Sequence, residues 1–183
     1  MNDAAALLVI DVQEGIDDPR HGQRNNPGAE ANIARLLAAW RAAGRPVVHI
    51  RHDSVDPESV LRPGLPGNAI KREVAPLPGE TVFAKHVNSA FIGTPLEQHL
   101  REHGIDALVV TGHTTDHCVS TTARMAANLG FAVTLVSDAT ATHERIGPDG
   151  VHHSAEAMHQ LALASLHEEF ATIRSTAQVL ATR

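Results

Sequence analysis

Cysteine is almost absent: the 183-residue chain has one, Cys118. A single thiol excludes an internal disulfide framework and any metal or redox site built from several cysteines. With no recognisable signal peptide either, a reducing cytoplasm is the expected location. Tyrosine is missing and the other aromatics are few, four Phe and one Trp, so a base-stacking surface is not expected. Positive charge is also in deficit, and a formal net charge of -6 argues against nucleic acid as a partner. No apolar run approaches the roughly 20 residues that span a bilayer, so no membrane partner is expected. Internal repeats, low-complexity tracts and inter-domain linkers are lacking as well. The whole chain, 1–183, therefore suits one domain, with 43% hydrophobic residues to fill its core.

What is present is an alternation of two periodicities. Ala4 to Ile10 is a continuous apolar run closed by Asp11, the pattern of a strand buried on both faces. From Ala29 to Ala43, Ile33, Leu36, Leu37 and Trp40 recur at helical spacing, and Gly44 ends the helix. Further strands are expected at 46–50, 82–84, 107–110, 131–136 and 171–173, and further helices from Thr94-Pro95 to Gly104, at 115–129 and at 154–169. Strands alternating with helices predict an α/β fold, a parallel sheet covered on both faces and joined by right-handed crossovers. The Pro- and Gly-rich stretch from Asp53 to Glu80 predicts a long irregular segment of the kind that serves as a lid or binding loop.

In open parallel sheets, reacting groups gather beyond the carboxyl ends of the strands. Three residues occupy such positions: Asp11, Lys85 and Cys118. Cys118 follows a buried strand and a polar turn and opens a helix, where backbone amides and the macrodipole favour thiolate. A carboxylate can take the thiol proton, and an ammonium beside them favours both anions. Each residue alone has an ordinary structural explanation, as a packed small hydrophobe, a turn residue and a solvated charge. Their placement at one rim of one sheet is what suggests nucleophilic catalysis.

Leu7-Leu-Val-Ile-Asp11-Val-Gln13 resembles the opening strand of isochorismatase-like cysteine hydrolases. Lys85-His-Val-Asn-Ser89-Ala90-Phe91 resembles their lysine motif, with Thr94 and Leu96 also in pattern. Gly112-His-Thr-Thr-Asp-His-Cys118-Val119 resembles their nucleophile motif, continued by Thr122, Ala126, Gly130 and Ser137-Asp138-Ala139. The resemblance runs from about Ala5 to Val179. It implies a three-layer α-β-α fold with a six-stranded, mainly parallel sheet of Rossmann type. It further implies a triad of Cys118 as nucleophile, Asp11 as base and then acid, and Lys85 as electrostatic partner. A non-proline cis peptide is implied near His113-Thr114, with the Thr114 and Cys118 amides as oxyanion hole. A cysteine favours the amidohydrolase branch of the family, in which an acyl-enzyme on Cys118 is formed and then hydrolysed.

The same resemblance implies a small-molecule amide or carbamoyl substrate, with N-carbamoyl compounds, ureido acids and a streptothricin-type lactam as candidates. It also implies a homo-oligomer, dimer or tetramer. The segment 54–79 is then a lid or a subunit contact, and both remain open. Nicotinamidases of the family bind a metal through Asp-x-His after the second strand. Here that stretch is His49-Ile-Arg51-His52-Asp53, without the motif, so no metal and no cofactor is expected. Gln13, Phe91, His113, His117 and His143 are the candidate substrate contacts, whereas His99, His103, His152, His153 and His159 are expected on solvated faces. Two other classes compete with an enzyme. An idle binding protein on the same fold has no use for all three triad residues together, and a thiol redox sensor lacks a resolving cysteine.

Overall fold

The architecture follows from how β1, Ala6–Ile10, divides its side chains. Strand side chains alternate between faces. Leu7 and Val9 join one apolar layer with Ile33, Leu36, Leu37 and Trp40. Leu8 and Ile10 join the opposite layer with Leu96, Leu100, Val119 and Ala123. Every residue of β1 is buried, so the run reads as continuously apolar although it serves two cores. The computed structural model describes residues 5–181.

The elements in chain order are β1, α1 (Ala29–Ala42), β2 (Val47–His52), β3 (Thr81–Lys85), α2 (Leu96–Glu102), β4 (Ala107–His113), α3 (Ser120–Asn128), β5 (Ala132–Ala141), β6 (Arg145–Ile146), β7 (His152–His153), α4 (Ala155–Leu166), β8 (Thr172–Arg174) and α5 (Thr176–Ala181). Six strands form one sheet in the order β3-β2-β1-β4-β5-β8, and every pairing in it is parallel. The expected three-layer, six-stranded fold is thus the observed one. The order reverses between β1 and β4, the place where open α/β sheets leave a crevice for ligands. Trp40 locks α1 to the sheet edge-on, donating its indole N–H to the Ala5 carbonyl at 2.9 Å. Among the described residues no helix is long and apolar enough to cross a membrane.

Several boundaries differ from expectation, each for a local reason. β2 continues through Arg51 and His52 because His52 pairs with Lys85 on the neighbouring edge strand. β5 runs on to Ala141, because a register shift at the end of β4 lets Gly112 and His113 pair with Thr140 and Ala141. The helix expected from Thr115 opens instead as one π turn, Thr115–Val119, in which the Val119 N–H reaches the Thr114 carbonyl at 3.2 Å. The antiparallel ribbon β6–β7 and helix α5 carry too few residues for a periodic signal. Ser154, by contrast, caps α4 as its position suggests, accepting the Ala157 N–H at 3.2 Å.

The long segment after β2 is pinned rather than loose. Its Lys71 N–H bonds the Val12 carbonyl, and Ala69 accepts from Glu14. Asn68 is buried and donates to the carbonyls of His52 and Leu61 and to Asp53. The segment therefore packs onto the turn after β1, at the carboxyl rim of the sheet.

Candidate active site

Three strand ends meet at that rim. Asp11 follows β1, continues the ladder by donating its N–H to the Ile50 carbonyl, and then turns the chain with φ 51°. Asp tolerates this left-handed conformation better than most residues. Lys85 closes β3, two strands away from β1. Two strand spacings are about 9–10 Å, so only a long side chain can carry a charge across the end of β2 to Asp11. Cys118 lies in the π turn after β4, on the other side of β1. The close approach of β4 to β1 requires Gly112, whose φ is 115° and where any Cβ would collide with the Ile10 carbonyl oxygen.

The Lys85 ammonium is fully buried and is the hub of the site. It lies 2.7 Å from Asp11 Oδ2, 2.9 Å from His52 Nδ1 and 3.3 Å from Cys118 Sγ. Asp11 is 2% exposed, and its second oxygen, Oδ1, has no hydrogen-bond partner among the described residues. Donor atoms of Asp11, His52 and Cys118 all lie within 4.8 Å of one another, a set that could in principle ligate a metal. The ammonium bonded to all three makes that set a poor fit for a dication, which would have to share their lone pairs with a neighbouring positive charge. The His113-Thr114 bond is cis, and Thr114 and Cys118 both face the cavity above the triad.

The electrostatics reverse one expectation. The Cys118 thiol is pushed up to about 12, by burial first and by the Asp11 carboxylate second, with Lys85 opposing only in part. Burial and a facing carboxylate outweigh the helix terminus and the ammonium, so the resting sulfur holds its proton. His52 is held below the usual imidazole range, by burial and then by the Lys85 charge. A neutral imidazole is the form that can accept from the ammonium.

The cavity over these groups has a volume of about 320 Å³. His113, His117 and His143 line it. His113 is fully buried with Nε2 3.4 Å from Glu30, whereas His117 has a largely exposed side chain. His143 is pushed down to about 4, by burial and by His21, Arg145 and His113, so it is neutral at pH 7. Its ring centroid lies 5.3 Å from that of His21. A larger cavity of about 650 Å³ lies beside the opposite end of β4 and β5, around Phe131 and Phe170, remote from every triad residue.

Two expected substrate contacts are not at the cavity. Gln13 is fully buried, and its amide clamps backbone instead, donating to the His52 and Asn68 carbonyls and accepting the His52 N–H at 2.8 Å. Phe91 turns into the core and stacks on Phe131 with ring centroids 5.8 Å apart. His159 is not solvated either: it is 2% exposed and lies 2.9 Å from the Thr115 hydroxyl, bracing the π turn. Residues not foreseen at the cavity are His52, Ile16, His21, Leu61, Asn88 and Arg145. For His52 the signal was available, since it ends β2 just as Lys85 ends β3.

Comparison with known proteins finds relatives in both sequence and fold. The family model described as Isochorismatase domain matches residues 5–178. The chain is 46% identical over 180 residues to the uncharacterized isochorismatase family protein YrdC of Bacillus subtilis, covering 98% of this chain and 96% of the relative. It is 31% identical over 186 residues to the ureidoacrylate amidohydrolase RutB of Methylobacterium radiotolerans, covering 81% of this chain and 70% of that one. A crystal structure of an isochorismatase-family protein from Chromobacterium violaceum superposes with a TM-score of 0.96 at 51% identity, covering 98% of this chain and 93% of that one.

Proposed function

The chain belongs to the isochorismatase family of hydrolases, and from that premise we propose that it cleaves a C–N bond of a small molecule through a thioester on Cys118. The bond is an amide, lactam or carbamoyl linkage. The observation that carries this reading is the buried Lys85 ammonium in contact with both Asp11 and Cys118 on the floor of one cavity.

The steps follow from the groups present. Asp11, through its unpartnered Oδ1, takes the thiol proton as the sulfur attacks the carbonyl carbon. Negative charge gathering on the carbonyl oxygen meets the backbone amides of Thr114 and Cys118. Asp11 then passes its proton to the departing nitrogen, the C–N bond breaks, and an acyl thioester remains. Water gives a proton to Asp11 and adds to the thioester. The carboxylic acid departs as the C–S bond breaks, and the proton returns to sulfur. The Lys85 ammonium, in contact with both groups, compensates the sulfur charge during attack.

A cavity of about 320 Å³ suits a small metabolite rather than a macromolecule. Among the described residues Arg145 is the only arginine lining it, beside imidazoles and the apolar Ile16 and Leu61, a wall suited to an amide that also carries an acidic group. The name of the ureidoacrylate amidohydrolase relative supports carbamoyl chemistry of this kind. Redox sensing is disfavoured by the same thiol that suits acyl transfer, because a sulfur held protonated is a slow target for oxidants.

The deciding experiment is a screen for ammonia or amine release over amides, carbamoyl acids and lactams, run with the wild-type chain and Cys118→Ala. Turnover by the former alone, with an acyl adduct on Cys118 trapped by rapid quench and intact mass, is the expected result. Turnover that survives Cys118→Ala would overturn the mechanism.

A further inference from the structure

The Lys85 ammonium has three N–H groups and no lone pair, and it is fully buried. Its surroundings supply one acceptor for each: Asp11 Oδ2, Cys118 Sγ and His52 Nδ1. Because an ammonium only donates, Nδ1 of His52 must present its lone pair. The neutral ring therefore carries its proton on Nε2, which no group among the described residues bonds and which belongs to a residue lining the cavity. The backbone of His52 is fixed on both sides. Gln13 accepts its N–H at 2.8 Å, and its carbonyl accepts from Gln13 and Asn68 at 3.0 Å. The buried Gln13 and Asn68, which do not line the cavity, thus acquire a purpose: they hold the residue that holds Lys85.

Resting on the hydrolase reading above, we propose that His52 is a positioning residue whose Nδ1 lone pair fixes the Lys85 ammonium between Asp11 and Cys118. Deprived of it, one N–H of a buried ammonium has no acceptor, and the ammonium shifts toward Asp11 and away from sulfur. A protonated His52 has the same effect, since imidazolium offers no lone pair and repels Lys85. The charged and titratable groups facing His52 are Lys85 and His86 from β3 and its end, Asp11 from the end of β1, Cys118 from the π turn, and Asp53 next along the chain. Asp53 is itself bonded to Arg51 at 2.8 Å. Burial and the Lys85 charge disfavour the imidazolium more than the two carboxylates favour it.

The test is a pair of substitutions read against pH. In His52→Asn the side-chain oxygen lies close to the place of Nδ1, accepts from Lys85 and does not titrate. In His52→Leu no acceptor remains. His52→Asn is expected to keep kcat within about 10-fold and to move the acid limb of the wild-type kcat profile to lower pH, whereas His52→Leu loses about 10- to 100-fold in kcat with little change in KM. A His52→Leu variant with wild-type kcat, or an acid limb unchanged in His52→Asn, overturns the proposal. A second readout needs no substrate: long-range proton–nitrogen spectra of the imidazoles at pH 7, with His52 assigned by its loss in His52→Asn. A neutral ring protonated on Nε2 supports the proposal, and a proton on Nδ1 overturns it. The spectra judge His52 even if hydrolysis survives Cys118→Ala, so failure of the hydrolase reading and failure of this one are distinguishable.

Discussion

Replacing Asp11 by Asn separates two properties of Cys118 that usually travel together, its acidity and its usefulness. The amide keeps the shape of the carboxylate but removes its charge and its ability to take a proton. Donor atoms of Asp11 and Cys118 lie within 4.8 Å. Two unit charges at that separation, with an effective dielectric constant of about 20, interact by about 3 kcal/mol. That energy corresponds to about two pH units in a titration. The thiol, held at about 12 by burial and Asp11, should therefore fall to about 10 or lower, with Lys85 now seeking a new counter-ion. The thiolate fraction near pH 8 rises by about 100-fold. Iodoacetamide labelling, followed by intact mass from about pH 7 to 10, should accelerate in proportion, since the thiolate is the reacting form. Hydrolysis should fall by about 100- to 10,000-fold at the same time, because no base remains. Equal or slower labelling in Asp11→Asn refutes the claim that Asp11 keeps the proton on sulfur. Undiminished hydrolysis shows that another group is the base.

Lys85→Met leaves the buried Asp11 carboxylate without its ion-pair partner, and should lower urea-unfolding stability by about 3–5 kcal/mol besides abolishing turnover; unchanged stability would contradict the buried pair. Gly112→Ala combines a strained positive φ with a collision against the Ile10 carbonyl oxygen. It should fold poorly or melt well below the wild type, and a variant as stable as the parent would refute the close β1–β4 approach. Glu30 is bonded by Arg24 and Lys71 and faces His113, partners that override burial and hold its carboxyl below the usual range of 4.5. Its folded value is depressed, so its contribution is complete above about pH 4.5 and is lost as pH falls further. Urea midpoints of wild type and Glu30→Gln measured from neutral to acid pH should converge; parallel curves would show that the cluster adds no pH-dependent stability.

The triad was legible because each member stands where an apolar strand gives way to polar residues. The strand-end rule for parallel sheets then places Asp11, Lys85 and Cys118 at one rim. The same rule missed His52 because the strand was ended at Ile50, where apolar residues stop. The ladder goes on through Arg51 and His52, since pairing with β3 depends on backbone and not on side-chain polarity. Gln13 and Phe91 were misplaced for the opposite reason: nearness in sequence to Asp11 and Lys85 says nothing about direction. One residue past Val12 the Gln13 amide turns back onto β2, and next to the buried Ala90 the Phe91 ring packs against the core on Phe131. Ile16 and His21 come from short 3-10 turns, Leu61 and Asn88 from loops and Arg145 from the short ribbon, and the path of the Leu61 loop is set by the buried Asn68 amide. Periodicity carries no record of such contacts.

The reversal over Cys118 has a consequence for how the site starts. The proposed mechanism starts from an Asp11 carboxylate, a Cys118 thiol and a Lys85 ammonium. After proton transfer, Asp11 is neutral, the sulfur is the anion and Lys85 is unchanged. The buried charge is zero in both states, so moving the proton adds no desolvation penalty of the kind that bringing a new ion into the interior would impose. What changes is which neighbour the ammonium serves, and it already touches both, at 2.7 Å and 3.3 Å. A thiol arranged in this way stays poorly reactive toward stray electrophiles until a carbonyl carbon stabilises its anion. Its activation depends on where the ammonium sits more than on bulk pH. The proposed role of the third acceptor, Nδ1 of His52, follows: it holds Lys85 between the two sites over which the proposed mechanism moves the proton.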